Sequence, residues 1–480
     1  MTAPWRVHPL LEHVVAGGYC IGCGACAAVA DSPLTMRLDA DGLYRPECDP
    51  GHVEPADGAD LGAVCPFYST TDEDALAAEH YATPDTARDP RLGFFRALHA
   101  GAVTDAGQRA QSSSGGIVTW LLLRLLERGD IDGVVHVGAT RDDAEGALFR
   151  YQVSTDAAAV RAAAKSRYHP VEISRVSAWL REHPGRYAFV GVPCFVKAMR
   201  LLAHHDDDVD RAIVCCIALF CGHMKSTEYA RHLAWQVGIP PDGLDGIDFR
   251  AKRPERPANR YGIVATGRVA GAAVERTAPM DRLHGSDWGL GLFKPSACDY
   301  CDDIAGETAD LAAGDAWLPQ YVHDPRGTSV VIVRTALLQQ VLADGAAAGE
   351  LALDAIDADA VARSQDASYR HRRDGLALRL AQGDDAGRWR PVKRVPAARA
   401  HLSARQRRVF RLRQRLAAAS HPAFAAARAA GRHGVFRRRL APLILRYYGA
   451  SRGYLRTAVR ALLLRLPPRW RVRLPGGRRL

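Results

Sequence analysis

Eleven cysteines stand in this 480-residue chain, and their spacing is what could carry chemistry. Cys20-Ile-Gly-Cys23-Gly-Ala-Cys26 reads C-x2-C-x2-C, the opening of a bacterial ferredoxin run, where tight turns bring three thiolates to three corners of an iron–sulfur cube. Gly22 and Gly24 permit those turns and leave backbone N–H groups free to point at sulfur. A complete run carries a fourth cysteine three residues on, before proline. Here Ala30 holds that place, and the Cys-Pro dipeptide stands far downstream as Cys65-Pro66. A second full run would need cysteines where Pro55, Gly58 and Leu61 stand. Three ligands of one run and the remote Cys-Pro of the other are what remains when one of two clusters is lost. The pattern predicts one [4Fe–4S] cluster held by Cys20, Cys23, Cys26 and Cys65. Structural zinc is the competing occupant, because cysteine knuckles also use C-x2-C. Cys48 is a free thiol or a substitute for Cys65.

A second set is more scattered. Cys298-Asp-Tyr-Cys301 follows Lys294-Pro-Ser-Ala like a ligand knuckle and precedes Gly314-Asp315. Gly191-Val-Pro193-Cys194 ends one apolar run and opens a helical one; Phe220-Cys221-Gly222 ends another. Two strand C-termini and a knuckle thus offer thiolates at one sheet edge, where α/β proteins gather their sites. We expect a second [4Fe–4S] cluster on Cys194, Cys221, Cys298 and Cys301, with zinc or unligated thiols left open on spacing alone. Cys215 and Cys216 lie inside the apolar stretch Ile213 to Phe220 and read as small core residues.

Two stretches suit the phosphates of a cofactor. Ser112-Ser113-Ser114-Gly115-Gly116 lies between a strand and an amphipathic helix. There serine hydroxyls can cap the helix, glycine admits a phosphate, and the helix N-terminus supplies N–H groups and dipole. A solvent-facing capping turn is the plain alternative. Lys165-Ser166-Arg167-Tyr168 joins cation, hydroxyl and aromatic ring before His169-Pro170, with a solvated helix end as its alternative. No G-x-G-x-x-G occurs, which argues against a Rossmann NAD site. Arg250, Lys252 and Lys294 are anion contacts or surface charges; His169 and His223 are proton donors or structural histidines. No catalytic residue is assigned.

The elements that must position these groups follow from apolar periodicity. Residues 8–70 are rich in Cys, Gly and Pro and suit folding around a metal more than around an apolar core. Residues 71–92 read as a polar helix and linker. Strands are expected at Phe94 to Val103, Val134 to Val137, Tyr187 to Val190, Ala212 to Phe220 and Val330 to Val333. Helices are expected at Ile117 to Arg128, Phe195 to Ala203 and Thr227 to Val237. This alternation predicts an α/β protein with a mostly parallel or mixed sheet covered by helices.

Charge is uneven. The formal net charge is +11, yet residues 391–480 hold 24 Lys+Arg and no Asp or Glu. The whole chain has only six lysines, at 165, 197, 225, 252, 294 and 393, so each is informative where Lys and Arg differ. Leu440 to Tyr448 and Tyr454 to Leu466 mix apolar and Arg positions at helical spacing. Such helices can lie on an anionic membrane surface, with a solvated arm as the alternative. Nucleic-acid binding is not expected, since no reading motif accompanies the charge. No 18-residue uncharged apolar stretch and no apolar segment ahead of Cys20 occur, so neither a transmembrane helix nor a secretory signal is expected. Cysteines of this spacing then suit a reducing cytoplasm, with peripheral contact to the inner membrane face through the tail.

Together Cys20–Cys26, Cys65-Pro66, Ser113–Gly116, Gly191–Cys194, Cys221-Gly222 and Cys298–Cys301 with Gly314-Asp315 resemble, in family order, the coenzyme F420 hydrogenase/dehydrogenase beta-subunit family. That family includes the 7-hydroxymethyl chlorophyll a reductases. The resemblance implies an N-terminal ferredoxin-like iron–sulfur module (8–75) and a central mixed α/β flavin-binding core. The core would comprise the family's N-terminal (93–175) and C-terminal (180–345) domains, leaving a basic helical tail (391–480). It implies FAD near Ser113, Ser114, Gly115, Gly116, Lys165, Ser166 and Tyr168, and one or two [4Fe–4S] clusters. The implied activity is an oxidoreductase passing electrons between clusters, flavin and a substrate or deazaflavin. A ferredoxin or another redox protein is the expected donor. Oxidation of coenzyme F420, a non-catalytic electron-transfer subunit of a larger complex, and a zinc-stabilised interaction protein are the alternatives. Removal of residues 391–480 is expected to leave the cofactors in place.

Overall fold

The computed structural model describes residues 9–48, 61–140 and 146–453. After the first cysteines come an antiparallel hairpin, β1 (Leu34–Leu38) and β2 (Tyr44–Cys48), and the helix Glu73–Tyr81. A short hairpin, β3 (Ala87–Asp89) and β4 (Gly93–Phe95), precedes β5 (Ala97–Val103). The single strand expected from Phe94 is therefore two pieces, because β4 pairs with β3 while β5 enters another sheet.

The chain continues through β6 (Gly133–Ala139), β7 (Phe149–Ser154), β8 (Tyr187–Gly191) and β9 (Ile213–Leu219). A separate antiparallel meander follows, made of β10 (Leu244–Ala251), β11 (Gly262–Val269) and β12 (Ala272–Pro279). Last come β13 (Leu311–Asp315), β14 (Ser329–Val333) and β15 (Leu351–Ala355).

Eight strands form the main sheet in the order β15-β5-β14-β13-β9-β8-β6-β7. β13, β9, β8 and β6 are mutually parallel, and β14 is antiparallel to both β13 and β5. β5 therefore runs with the parallel four, and five strand C-termini share one edge. Every residue of β8 and β14 is buried, as strands covered on both faces by helices require. Period-two alternation sends Val134, Ala188, Cys215 and Ile217 to the face packed by Ile117–Glu127, while Val135, Phe189, Cys216 and Ala218 face Pro193–Ala203. Cys215 and Cys216 are core residues on opposite faces.

Residues 391–453 are largely helical, as expected of the basic tail, but are not the solvated arm offered as one alternative. Ser403 and Gln406 form a capping box that starts the helix Ala404–Ala429, and a short turn leads to Gly434–Arg452. Leu412, Leu416, Phe424, Phe436, Leu440 and Tyr447 of this helical pair join the main core. The helical spacing of Leu440 to Tyr448 shows in the sequence; that its apolar face packs on the core does not. Among the described residues no helix is long and apolar enough to cross a membrane. Tyr454 to Leu466 lies outside the described residues.

Candidate functional site

Cys20, Cys23, Cys26 and Cys65 line one recess of about 350 Å³, walled by Leu10, Val14, Met36 and Phe67. Gly22 and Gly24 have φ of 73° and 83°. A Cβ at Gly22 would lie 2.6 Å from the Tyr44 carbonyl oxygen, and one at Gly24 would lie 2.7 Å from Glu172 Oε2. Only glycine fits the turns that fold these thiols together. The Gly22 N–H donates to Cys20 Sγ at 3.4 Å. Burial pushes the Cys65 thiol up to about 11. It raises Cys23 and Cys26 as well, with neighbouring thiols adding to the rise. Held as thiolates, four sulfurs so placed need a bound cationic centre. Cys48 is exposed at the end of β2 and does not line the recess.

A second recess, of about 230 Å³, is lined by Cys194, Cys221, Cys298 and Cys301 with Ile21, Pro193, Met224, Asp303 and Arg372. β8 delivers Cys194 to the first turn of Pro193–Ala203, and β9 delivers Cys221, whose N–H donates to Ile304 O at 3.2 Å. The short turn Ser296–Tyr300 carries Cys298 and leads into Cys301. The Met224 N–H donates to Cys298 Sγ at 3.3 Å. Burial pushes Cys221 up to about 12. Arg372 donates from Nη2 to Cys221 O (3.0 Å) and Gly222 O (2.9 Å), and its buried Nη1 has no partner among the described residues. Burial opposes the Arg372 charge, but the thiolates of Cys301, Cys221, Cys298 and Cys194 outweigh it and raise its pKa. Sequence reading missed Arg372, which sits in an Arg-rich run without any spacing signal.

The two recesses adjoin. Ile21 lines both. Tyr151 of β7 has its phenol raised by burial and then by the thiolates of Cys194 and Cys23, one from each set. Glycine turns, inward N–H groups and an orphaned guanidinium nitrogen fit anionic iron–sulfur cubes in both recesses.

At the same sheet edge, the serine turn folds against the start of β14. A Cβ at Gly115 would lie 2.4 Å from Gly101 O, and the Gly115 N–H donates to Ser329 Oγ at 3.0 Å. Ser114 Oγ donates to Thr328 O (2.8 Å), and Ser113 Oγ accepts from Ser166 N–H (2.8 Å). The serines therefore do not cap the helix Ile117–Glu127: Gly116, left-handed at φ 85°, precedes it without a side-chain cap. Neighbouring segments have drawn the hydroxyls away.

Lys165 has φ 106°, a conformation that costs a non-glycine residue about 1–3 kcal/mol, and pairs with Asp248 at 3.1 Å. Arg250 and Lys294 are each 4% exposed, so neither is a surface charge. Arg250 forks onto Asp315 (2.7 and 2.9 Å), donates to Ser113 O (3.1 Å) and Tyr168 Oη (3.3 Å), and lies over the Tyr261 ring. Lys252 donates to Ser114 O at 2.7 Å and to Arg109 O. Burial, then Lys165, Arg109 and Arg250, push Lys252 down to about 7. Lysine and arginine charge thus gathers around the turn, which suits an anion.

An aromatic bridge joins this turn to the second recess. The Tyr168 ring lies 4.8 Å from Trp288, which stacks on His223 at 4.4 Å. A Cβ at Gly222, next to Cys221, would lie 2.6 Å from Trp288 Nε1. His223 is buried, and burial holds its pKa well below the usual histidine range. His169 Nδ1 lies 2.9 Å from Pro170 O.

The models of the coenzyme F420 hydrogenase/dehydrogenase beta subunit match residues 98–177 (N-terminal part) and 185–359 (C terminus), together more than half of the chain. This chain belongs to that family. An uncharacterised protein of Methanocaldococcus jannaschii is 24% identical over 339 residues, 68% of this chain and 86% of that protein. The coenzyme F420 hydrogenase subunit beta of Methanosarcina barkeri is 25% identical over 274 residues, 54% of this chain and 82% of that subunit. A coenzyme F420-dependent sulfite reductase of M. jannaschii is 23% identical over 341 residues, with 68% of this chain spanning 46% of that enzyme. A chain of the F420-reducing [NiFe] hydrogenase complex of M. barkeri is 18% identical, with 65% of this chain and 100% of that chain covered at a TM-score of 0.47.

The beta-subunit family match ends at residue 359, but the surroundings of the second recess do not. Lys393 Nζ lies 3.6 Å from Asp302, immediately after Cys301. Arg394 forks onto Glu307 (2.7 and 2.9 Å), and its Nε lies 3.5 Å from Asp302 and 3.7 Å from Glu73. Lys197 adds a pair with Glu73 at 3.4 Å. Burial would raise Asp302, but Lys393 and Arg394 hold it well below the usual carboxylate range. None of the six lysines is exposed.

Proposed function

We propose that this chain is an iron–sulfur flavoprotein oxidoreductase. Its first quartet would hold one [4Fe–4S] cluster, its second quartet another, and the Ser113–Gly116 turn with Lys165, Ser166 and Tyr168 would hold FAD. Bound there, the clusters carry single electrons and the flavin interconverts one- and two-electron chemistry. The observation that carries the reading is the succession of two adjoining four-cysteine recesses and an aromatic bridge ending at a cationic turn. Residues of this chain do the holding. Cysteine thiolates bind, Gly22 and Met224 N–H groups point at sulfur, and Lys252 and Lys165 offer charge to the FAD phosphates. Trp288 and Tyr168 span the space between the second recess and the turn. Ferredoxin is the favoured donor, for reduction of a small substrate. A second reading, electron exchange with coenzyme F420, is favoured by the names of two relatives, an F420 hydrogenase subunit and an F420-dependent reductase.

Anaerobic purification should yield about eight iron, about eight sulfide and about one FAD per chain. Cys23→Ser and Cys298→Ser should each remove roughly half of the iron and leave the other half. Zinc without sulfide would overturn the scheme. Reduction assays with ferredoxin and F420 then separate the two readings.

Lys252 also predicts a pH dependence. The folded group is charged below pH about 7 and neutral above it, whereas the ordinary lysine value is 10.5. Affinity for FAD, and for inorganic pyrophosphate as a minimal probe, should be full below pH 7 and fall as pH rises through it. Without an anion the sign reverses for stability: between about 7 and 10.5 the unfolded chain binds more protons, so folding stability contributed by this group rises with pH. Titration calorimetry at pH 6 and 8 measures the first effect, and Lys252→Met should flatten it.

A further inference from the structure

We propose that Arg372 makes the second cysteine quartet the higher-potential of the two cluster sites, so that an electron supplied at the Cys20 recess settles beside Trp288. The inference rests on the reading that both recesses hold [4Fe–4S] clusters. It adds an order and a cause. One electron leaves the first site as one electron reaches the second, and no other reactant is needed.

The two recesses differ in their charges. Among the described residues no ionised side chain lines the first, and Lys197, which acts on the Cys65 thiol, is neutralised by Glu73 at 3.4 Å. Arg45 reaches the Cys20 carbonyl oxygen at 2.6 Å, but Asp39 neutralises it at 3.1 Å and its side chain is 19% exposed. The second recess is lined by the Arg372 guanidinium, which is 3% exposed and stays charged at any ordinary pH. Its Nε and Nη2 are fixed on the Cys221 and Gly222 carbonyls, which leaves Nη1 as the unpartnered donor. Among the described residues no carboxylate pairs with it. Asp303, the one acid lining this recess among the described residues, directs its oxygens to the Gly306 and Glu307 N–H groups at 2.7 and 2.9 Å.

Further buried cations stand behind Arg372. Lys294 and Arg379 share Asp299. Arg413 contacts His223 Nδ1 at 3.3 Å. Reduction adds negative charge to a cluster already anionic. A fixed cation in a dry setting stabilises that added charge far more than one screened by water. Arg372 lies beyond the matched family span, which ends at residue 359, so this feature belongs to the part of the chain after the family domains.

The test is a redox titration of the full chain followed by electron paramagnetic resonance, with Cys23→Ser and Cys298→Ser used to assign the two signals. The wild type should reduce the second site first. Arg372→Gln should lower the reduced-to-oxidised ratio of the second site about tenfold at its original midpoint, equivalent to about 59 mV for one electron, and leave the first site unmoved. Arg372→Lys keeps the charge and should recover most of the ratio. Reduction of the first site before the second in wild type, or equal shifts of both signals in Arg372→Gln, overturns the proposal. If Arg372→Gln assembles no second cluster, the wild-type order and the lysine variant still decide it. Absence of iron and sulfide in the wild type defeats the cluster reading itself, which the metal analysis reports separately.

Discussion

Arg394→Ala is expected to destabilise the folded chain by about 3–5 kcal/mol and to deplete the second cluster site. The residue forks onto Glu307 and touches Asp74, Asp302 and Glu73. The Glu307 and Asp302 side chains are 1% and 0% exposed, so alanine would leave two carboxylates where water cannot reach them, each with one weaker partner at 3.6 Å, Arg373 for Glu307 and Lys393 for Asp302. Asp302 follows Cys301 directly, and the disturbance is passed to that ligand turn. Urea denaturation gives the stability change, and iron content gives the loss at the site. Arg394→Lys keeps a charge without the fork and should fall between wild type and alanine. Truncation after residue 390 removes Lys393 and Arg394 together and should do more damage than either substitution. That outcome would overturn the expectation, natural from composition, that the basic tail can be cut away without touching the cofactors.

Arg250→Ala should cost a comparable 3–5 kcal/mol, about the effect of breaking a buried ion pair from one side, and abolish FAD retention. Arg250 ties three segments together: Asp315 at the end of β13, Ser113 in the serine turn, and Tyr168 on the aromatic bridge. Alanine would leave the Asp315 carboxylate facing Ser113 O without a cation between them. Lysine restores charge but cannot fork onto Asp315, sit over Tyr261 and reach Ser113 O at once. We expect Arg250→Lys to fold better than alanine and still bind FAD poorly. Flavin absorbance after gel filtration and a denaturation midpoint measure the two effects. Iron content at the Cys20 recess serves as the internal control and should stay unchanged.

The strands and helices of the core were largely legible in the chain. Apolar runs such as Ile213–Leu219 and Ser329–Val333 can be buried only as covered strands, and the structure has them so. The serine turn was misread in one respect. Ser112 to Ser114 look like caps because short hydroxyl side chains favour that role, but Thr328, Gln108 and the Ser166 N–H engage them instead. Those partners lie up to 214 residues away, and no local pattern announces them. Trp288, Tyr151 and Arg372 were missed for the same reason.

By itself the sequence determined the family, the cysteine sets and the order of the core elements. Cysteine, glycine and apolar spacing act over a few residues, and the geometry of a turn or strand follows directly from them. Only the tertiary structure decided that the two quartets adjoin through Ile21, that all six lysines are drawn in from solvent, and that the basic C-terminal segment reaches Asp302 beside Cys301. The physical reason is the environment of charge. An arginine in water is worth little, whereas the same arginine facing a buried carboxylate or thiolate is indispensable. Which of the two it is depends on partners such as Glu73 and Arg394, more than three hundred residues apart, that meet only when the chain is folded.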